Sequence, residues 1–398
     1  MKQERPYPKA IITKKGEASV KNGHPWIYEG EVISADEHEN GCIVDAFGEK
    51  SNWLGAGFIS DNSRIRVRLL SDNPNDKFDG AFFARRVGYA VSYRKTVMRS
   101  DLECCRLIFG EADGLPGVTV DRYGDLLVAE ILSVGAERVK EHIYSALLSL
   151  IPGIRGIYER NESPLRALEG IPQYKGWYGA AAHPVAGITE NGILYDVDVE
   201  NGQKTGFFLD QKYNRLAVAR ICGGMTVLDC FTHTGSFALN ALKGGAKSVT
   251  AVDVSEFACE AVKKNAERNG LADRLDVKCA DVFELLPELC ERHAKYDMII
   301  LDPPAFTKSR RTVSGAERGY REINYRAMKL LPRGGYLATC SCSHFMSDEL
   351  FTETVMRAAK DAGVRLKLIE FRHAAPDHPI LLGVPETNYL KFCLFQTV

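Results

Sequence analysis

Four aspartates each close a short apolar run: Asp229 after Val227-Leu228, Asp253 after Val249 to Val252, Asp281 after Val277 to Ala280, and Asp302 after Tyr296 to Leu301. Apolar runs of this length, separated by apolar-periodic stretches such as Phe237 to Leu242, read as strands alternating with helices. The carboxylates would then gather at the carboxyl ends of a parallel sheet, where open α/β sheets bind ligands. A helix-capping role explains any one of these aspartates; it does not explain four in series. Further along, Cys340 and Cys342 sit in Thr339-Cys340-Ser341-Cys342-Ser343-His344, at the end of the run that follows Gly334-Gly335. A thiol at that tip would face the same cleft as Asp302.

The loop between the first strand and its helix, Cys230 to Gly235, lacks the paired glycines that let a backbone close on a pyrophosphate, and no Gly-Lys-Ser/Thr follows it. Asp229 would repel a pyrophosphate and attract an ammonium. Asp253 is placed to accept from both hydroxyls of a ribose, and Asp281 from an adenine amino group. A nucleoside carrying positive charge and no phosphate satisfies all of these, and S-adenosylmethionine has a sulfonium, an ammonium and a free ribose.

These residues, with His24-Pro25-Trp26-Ile27-Tyr28, Gly110 to Tyr123, Gly202 to Gln211, Asp302-Pro303-Pro304-Ala305-Phe306 and Ser341-Cys342-Ser343, resemble the ribosomal large subunit methyltransferase I family over essentially the whole chain. That family comprises class I S-adenosylmethionine-dependent RNA cytosine-5 methyltransferases. The resemblance implies an α/β fold in three parts: a PUA-like RNA-binding β-barrel over 1–73, a mixed α/β middle domain over 74–190, and a Rossmann-like class I methyltransferase domain over 191–398. It also implies methyl transfer to carbon 5 of a cytosine in 23S ribosomal RNA through a cysteine–RNA adduct. Cofactor contacts are expected from Gln211, Asp229, Phe231, Thr234, Gly235, Asp253, Asp281 and Asp302.

Carbon 5 of cytosine becomes nucleophilic only after a thiolate adds to carbon 6, and an acid near ring nitrogen 3 must stabilise the adduct. Asp302 suits the acid role if its pKa is raised. Two residues apart on a strand, Cys340 and Cys342 point to the same side, so spacing does not separate them. The family's Ser-Cys-Ser string fits Cys342, which is the expected nucleophile; His344 is a candidate activator. Two-cysteine RNA enzymes carry Pro-Cys where this chain has Pro303-Pro304, so the base that releases the product has no motif. The Asp-Pro-Pro loop alone would indicate N-methylation of a purine in RNA, and a non-catalytic RNA-binding assembly factor is the rival from another class.

The supporting elements agree with this reading. Short alternating runs punctuated by glycines over the first 73 residues suggest the small barrel. Arg64, Arg66 and Arg68 alternate along its last strand, so all three would share one face toward RNA. Asn73-Pro74-Asn75-Asp76 marks a boundary, and Phe78 to Arg99 and Ala136 to Leu150 read as helices. Asn191-Gly192 reads as a hairpin turn. Lys308, Arg310 and Arg311 begin a basic, tyrosine-containing stretch from Thr307 to Arg326 that suits RNA phosphates and a flipped base.

Composition excludes other classes. The 398 residues are 45% hydrophobic and 26% charged with a net charge of -1, so RNA contact must be confined to one face. Without a membrane-length apolar run or an apolar N-terminal signal, the expected location is cytoplasmic, with no membrane partner. Eleven cysteines without regular spacing argue for reduced thiols, and no metal is expected. Oligomeric state is encoded in no motif, and a homodimer is one candidate assembly.

Overall fold

Parallel strands flanked by helices are buried on both faces and so read as continuous apolar runs; all four runs that precede the aspartates form strands, mostly buried before Asp229, Asp253 and Asp302 and largely exposed before Asp281. In this computed structural model, which describes residues 5–202, 204–307 and 309–398, they build one side of a seven-stranded sheet, from its edge to its middle. Its strands are β1 (Thr226–Cys230), β2 (Ser248–Asp253), β3 (Leu275–Cys279), β4 (Met298–Leu301), β5 (Tyr336–Ser341), β6 (Leu366–Arg372) and β7 (Lys391–Thr397). They lie in the order β3-β2-β1-β4-β5-β7-β6. β1 to β5 run parallel; β7 inserts antiparallel between β5 and β6. The order reverses between β1 and β4, so their carboxyl ends frame the switch-point crevice. Apolar side chains from β1, β4 and β5 pack with helices Val282–Glu291, Val313–Leu330 and Asp348–Ala362 in one core that includes Leu228, Ile299, Tyr320, Leu337 and Phe351.

This sheet belongs to a unit made of residues 189–196, 210–375 and 388–398. A second unit comprises 1–188, 197–209 and 376–387. Chain order and spatial grouping therefore differ, because 197–209 and 376–387 return to the earlier unit. The chain crosses at a hairpin, Val185–Glu190 and Ile193–Asp198. Asn191 and Gly192 take φ of +52° and +76° there, the paired positive values a two-residue hairpin of matching twist needs.

The N-terminal part of the earlier unit is a six-stranded sheet ordered Trp26–Tyr28, Ile65–Ser71, Trp53–Ile59, Ile43–Gly48, Lys9–Ile12, Val32–Ala35. Its core is small: Ala10, Ile12, Ile27, Val44, Ala46, Ile59 and Val67. The three arginines of its last strand region do not share one solvated face. Arg64 is exposed, Arg66 binds the Ser60 carbonyl at 2.9 Å and Glu29 at 3.3 Å, and Arg68 is buried on Glu169 at 2.8 Å. Irregular register between this strand and both neighbours breaks the simple alternation on which the expectation rested.

Beyond it, a five-stranded sheet, from Cys104–Phe109 to Tyr174–Tyr178, is flanked by helices Gly80–Met98 and Val134–Leu150. Arg94, fully buried in the first of these helices, donates to Asp113 and to the carbonyls of Arg106 and Asp377. Asp377 also accepts from the Arg106 amide at 2.8 Å. Asp377-His378 is thus a structural clasp that anchors segment 376–387 in this unit. Replacing Arg94 with Ala leaves Asp113 and two carbonyls without their donor, and should destabilise the unit by about 3–5 kcal/mol in urea titrations. A loss under 1 kcal/mol would show that the network does not hold the segment.

Candidate active site

β1 ends in Asp229-Cys230, and the chain then turns through a strained loop. Phe231 and His233 adopt φ of +63° and +51°, unusual for residues with side chains, and Gly235 takes +81°. A Cβ on Gly235 would stand 2.9 Å from Val262 Cγ1, so glycine is required by conformation and by space. The turn aims backbone amides at two carboxylates. The Ala238 amide and the Thr232 hydroxyl donate to Asp229 Oδ2 at 2.9 and 2.6 Å, and the His233 amide donates to Asp253 Oδ2 at 2.9 Å. Asp229 Oδ1 and Thr234 Oγ1 are buried without a protein partner.

Parallel register explains the rest of the cluster. Cys230 lies beside Leu301, and Leu301 beside Thr339, so the next residues, Asp302 and Cys340, emerge side by side. Gln211 donates to Asp302 Oδ1 at 2.9 Å, with its own oxygen held by Asn214 at 2.7 Å. Burial, with Asp302 and Asp253 nearby, raises Asp229 to about 7. Burial and Asp210 raise Asp302 to about 6, against the pull of Arg215, Gln211 and Cys340. Carboxylates that repel one another in a dry crevice, one with an unmet buried oxygen, make a receptor for a cation.

The cysteines separate by depth. Cys340 is fully buried against Asp302 and Gln211, and burial with the Asp302 charge pushes its thiol far above the usual range. Cys342 stands past the end of β5, half-buried, with its sulfur 3.9 Å from the Pro303 carbonyl. The serines on either side of it are both clamped by Tyr320: Ser341 Oγ lies 2.9 Å from its hydroxyl and Ser343 Oγ 3.0 Å. His344 stacks edge-on against Phe345.

Other expected residues fall into place unevenly. Asp281 caps helix Val282–Glu291 by accepting from the Phe283 amide at 2.8 Å, the ordinary structural role. Beside it Phe231, Phe283 and Phe306 form a row of ring contacts. The stretch after Thr307 is mostly helix Val313–Leu330, whose apolar face is buried; Arg321 and Arg326 are paired with Asp361 and Glu322. Arg310 and Arg311 stand exposed on the short turn before it. Lys308 and Gln203 lie outside the described residues. Among the described residues no helix is long and apolar enough to cross a membrane, and no cluster of three or more His, Cys, Asp or Glu could hold a metal. Asp210 and Tyr320 lie in stretches the sequence singles out but had no role of their own there; Lys391 had no motif, and its one legible signal was a lysine opening the apolar run Phe392 to Phe395.

A model of S-adenosylmethionine-dependent methyltransferases matches residues 174–395, and one of PUA-like domains matches 10–72. A protein described as ribosomal RNA large subunit methyltransferase I from Klebsiella pneumoniae (strain 342) is 40% identical over 389 residues, 97% of each chain. One from Shewanella denitrificans is 41% identical over 381 residues, 94% of this chain and 96% of its own. The chain belongs to the ribosomal RNA large subunit methyltransferase I family. Two solved structures share the methyltransferase fold at 23% identity, each covered completely by 98% of this chain. One is a putative methyltransferase from Streptococcus mutans, with a TM-score of 0.83; the other, a putative methyltransferase complexed with SAH, gives 0.85. The family's dependence on S-adenosylmethionine agrees with the unmet Asp229 oxygen and the mutually repelling carboxylates. The expected class I fold and PUA-like N-terminal domain are both present.

The raised Asp229 pKa has a sign. The folded protein holds this proton where the unfolded chain, titrating near ~3.9, has lost it. The stability it confers is full below pH ~3.9 and is lost as pH rises through about 7. Wild type without cofactor should therefore lose about 1.4 kcal/mol more than Asp229→Asn between pH ~6 and ~8 in urea titrations. Equal slopes for the two proteins would mean that Asp229 ionises normally.

Proposed function

We propose that this enzyme transfers a methyl group from S-adenosylmethionine to carbon 5 of a cytosine in large-subunit ribosomal RNA, with Cys342 as nucleophile and Asp302 as acid. The ribosomal substrate is supported by the names of the relatives that match along almost the full chain. The observation that carries the cytosine chemistry is the pairing at two strand tips: a reachable thiol beyond β5 and, at the end of β4, a carboxyl raised to about 6.

In this reading Asp229 takes the cofactor's ammonium, Asp253 its ribose hydroxyls, and Asp281 with Phe231 and the Thr234-Gly235 turn its adenine end, while Gln211 orients Asp302. Bound S-adenosylmethionine supplies an electrophilic methyl on sulfur. The Cys342 thiolate adds to carbon 6, and the displaced π electrons reach ring nitrogen 3, which takes a proton from Asp302. Carbon 5 is now an enamine carbon and forms the new bond to the methyl, whose bond to the sulfonium would break to leave a neutral thioether, and nitrogen 3 then returns its proton to Asp302. Loss of the carbon 5 proton to a base then restores the double bond as the carbon–sulfur bond breaks, returning the thiolate. Cys340, deep and hard to ionise, orients Asp302 instead.

RNA contact is assigned to the exposed Arg64, Arg310 and Arg311, with Arg66 and Lys308 as further candidates. The assignment of 1–73 as an RNA-binding module, 74–190 as a middle domain and 191–398 as the catalytic domain belongs to the same proposal, as does a homodimeric assembly.

The test is denaturing electrophoresis after incubation with ribosomal RNA containing 5-fluorocytosine and with S-adenosylmethionine. Fluorine cannot leave as a proton, so the thiol stays bonded to RNA. A shifted band given by wild type and Cys340→Ala but absent in Cys342→Ala is the expected result. A band lost only in Cys340→Ala reverses the choice of nucleophile. No band at all, with methyl transfer to ordinary RNA intact, replaces this reading with N-methylation through Asp302-Pro303-Pro304.

A further inference from the structure

β7 opens with a charged residue inside an otherwise apolar, buried run, Lys391-Phe392-Cys393-Leu394-Phe395. Lys391 is 1% exposed. A lysine is almost never buried to that depth unless paired with an acid, because desolvating an ammonium without a counter-charge is expensive. Here the ammonium makes no ion pair with a carboxylate among the described residues; it donates to two neutral oxygens, the carbonyls of Ser343 at 2.9 Å and Tyr389 at 3.0 Å. Two of its three N–H bonds are thereby used.

Its place in the sheet is specific. Lys391 pairs in register with Ser341, the residue before Cys342, and binds the carbonyl of Ser343, the residue after it. The charges that face it are few. Asp348, at the start of helix Asp348–Ala362, acts on it from beyond ion-pair range and is already bound to His373 at 2.8 Å. Tyr389 directs its hydroxyl to Asp210. Cys393, two residues along β7, is itself buried, and its thiol is pushed up to about 12. The remaining group whose charge acts on it is Cys342, after Asp348.

We propose that Lys391 is the positioning residue for Cys342: its buried ammonium supplies the counter-charge that keeps the thiol ionised, while its bond to the Ser343 carbonyl fixes the strand tip. The proton leaves sulfur for water, and no electron transfer is involved. The missing acid partner follows directly, since a carboxylate at that spot would neutralise the ammonium and leave the thiol protonated. Burial lowers Lys391 to about 8, with Asp348 and then Cys342 opposing the shift, so the ammonium form predominates below that pH. Tyr320 holds the same tip through Ser341 and Ser343 but carries no charge, so placing the sulfur and ionising it are separate tasks.

The inference rests on Cys342 being the reacting thiol, and its test needs neither RNA nor methyl transfer. The rate of alkylation by iodoacetamide at the Cys342 peptide, followed by mass spectrometry across pH, reports thiolate formation in wild type, Lys391→Met and Lys391→Arg. Wild-type alkylation should reach half its maximum below pH ~8.5, the value of an ordinary thiol. Lys391→Met should slow alkylation at pH ~7 by about tenfold or more, while Lys391→Arg, which keeps the charge, recovers most of it. A wild-type midpoint at the ordinary value overturns the proposal whether or not the variants fold. So does an unchanged profile in a Lys391→Met protein that still binds S-adenosylmethionine by calorimetry. Failure to trap RNA on Cys342 would instead remove the cytosine reading and leave the titration result standing.

Discussion

Negative charge gathered at the carboxyl ends of adjacent strands, around a fully buried Asp229, is the constraint around which the catalytic unit is arranged. Adjacent parallel strands deliver their carboxyl ends to one place: Cys230, which follows Asp229 on β1, lies beside Leu301, which precedes Asp302. Each raises the other's pKa or is raised by a further acid, Asp253 or Asp210. Nothing in a stable hydrophobic core calls for this. Backbone amides of the strained 230–238 segment relieve part of the charge, and one buried oxygen of Asp229 is left without a partner. Such an arrangement lowers the stability of the cofactor-free protein near neutral pH and reserves that free energy for a cationic ligand.

A second constraint acts on the thiols. Cys340 and Cys342 differ by two positions, yet only one is reachable, because β5 ends between them. Within the strand, Cys340 is locked against Asp302 and Gln211. Past it, the chain is held by a pair of serine hydroxyls on Tyr320 and by a lysine on a carbonyl. The two cysteines thus differ by depth, and in the proposed reaction the inner one orients the acid while the outer one meets the base.

The catalytic fold was legible in the sequence to the extent that chemistry there is local. The run-and-aspartate pattern gave the strands, their order of appearance and the cofactor class, because burial on both faces forces continuous apolar runs. Legibility failed where tertiary pairing decides. Arg66 and Arg68 looked like a solvated basic face, and only Glu29 and Glu169, distant in sequence, turn them inward. The basic stretch after Thr307 looked like a surface for RNA phosphates because its charges obscure the buried stripe of Ala316, Tyr320, Ile323 and Ala327. Asp281, one of four aspartates by pattern, also caps helix Val282–Glu291, a role its place in the pattern did not reveal.

The return of segment 376–387 to the earlier unit was invisible for a related reason. Asp377-His378-Pro379 has the composition of a cleft motif, and as an isolated string it invites a chemical role. Its carboxylate instead accepts from the Arg106 amide, its backbone carbonyl receives Arg94, and the His378 ring packs on Phe109. Polar residues that are close in sequence and buried together are as often clasps as catalysts, and partners distinguish them. In the clasp the arginine has its carboxylate, Asp113, and the charges cancel within the network. At the β5 tip the buried cation donates only to neutral carbonyls, with Asp348 beyond ion-pair range. The carboxylate beside Arg94 makes it structural, and the lack of an ion-paired carboxylate beside Lys391 among the described residues is what supports the role proposed for it.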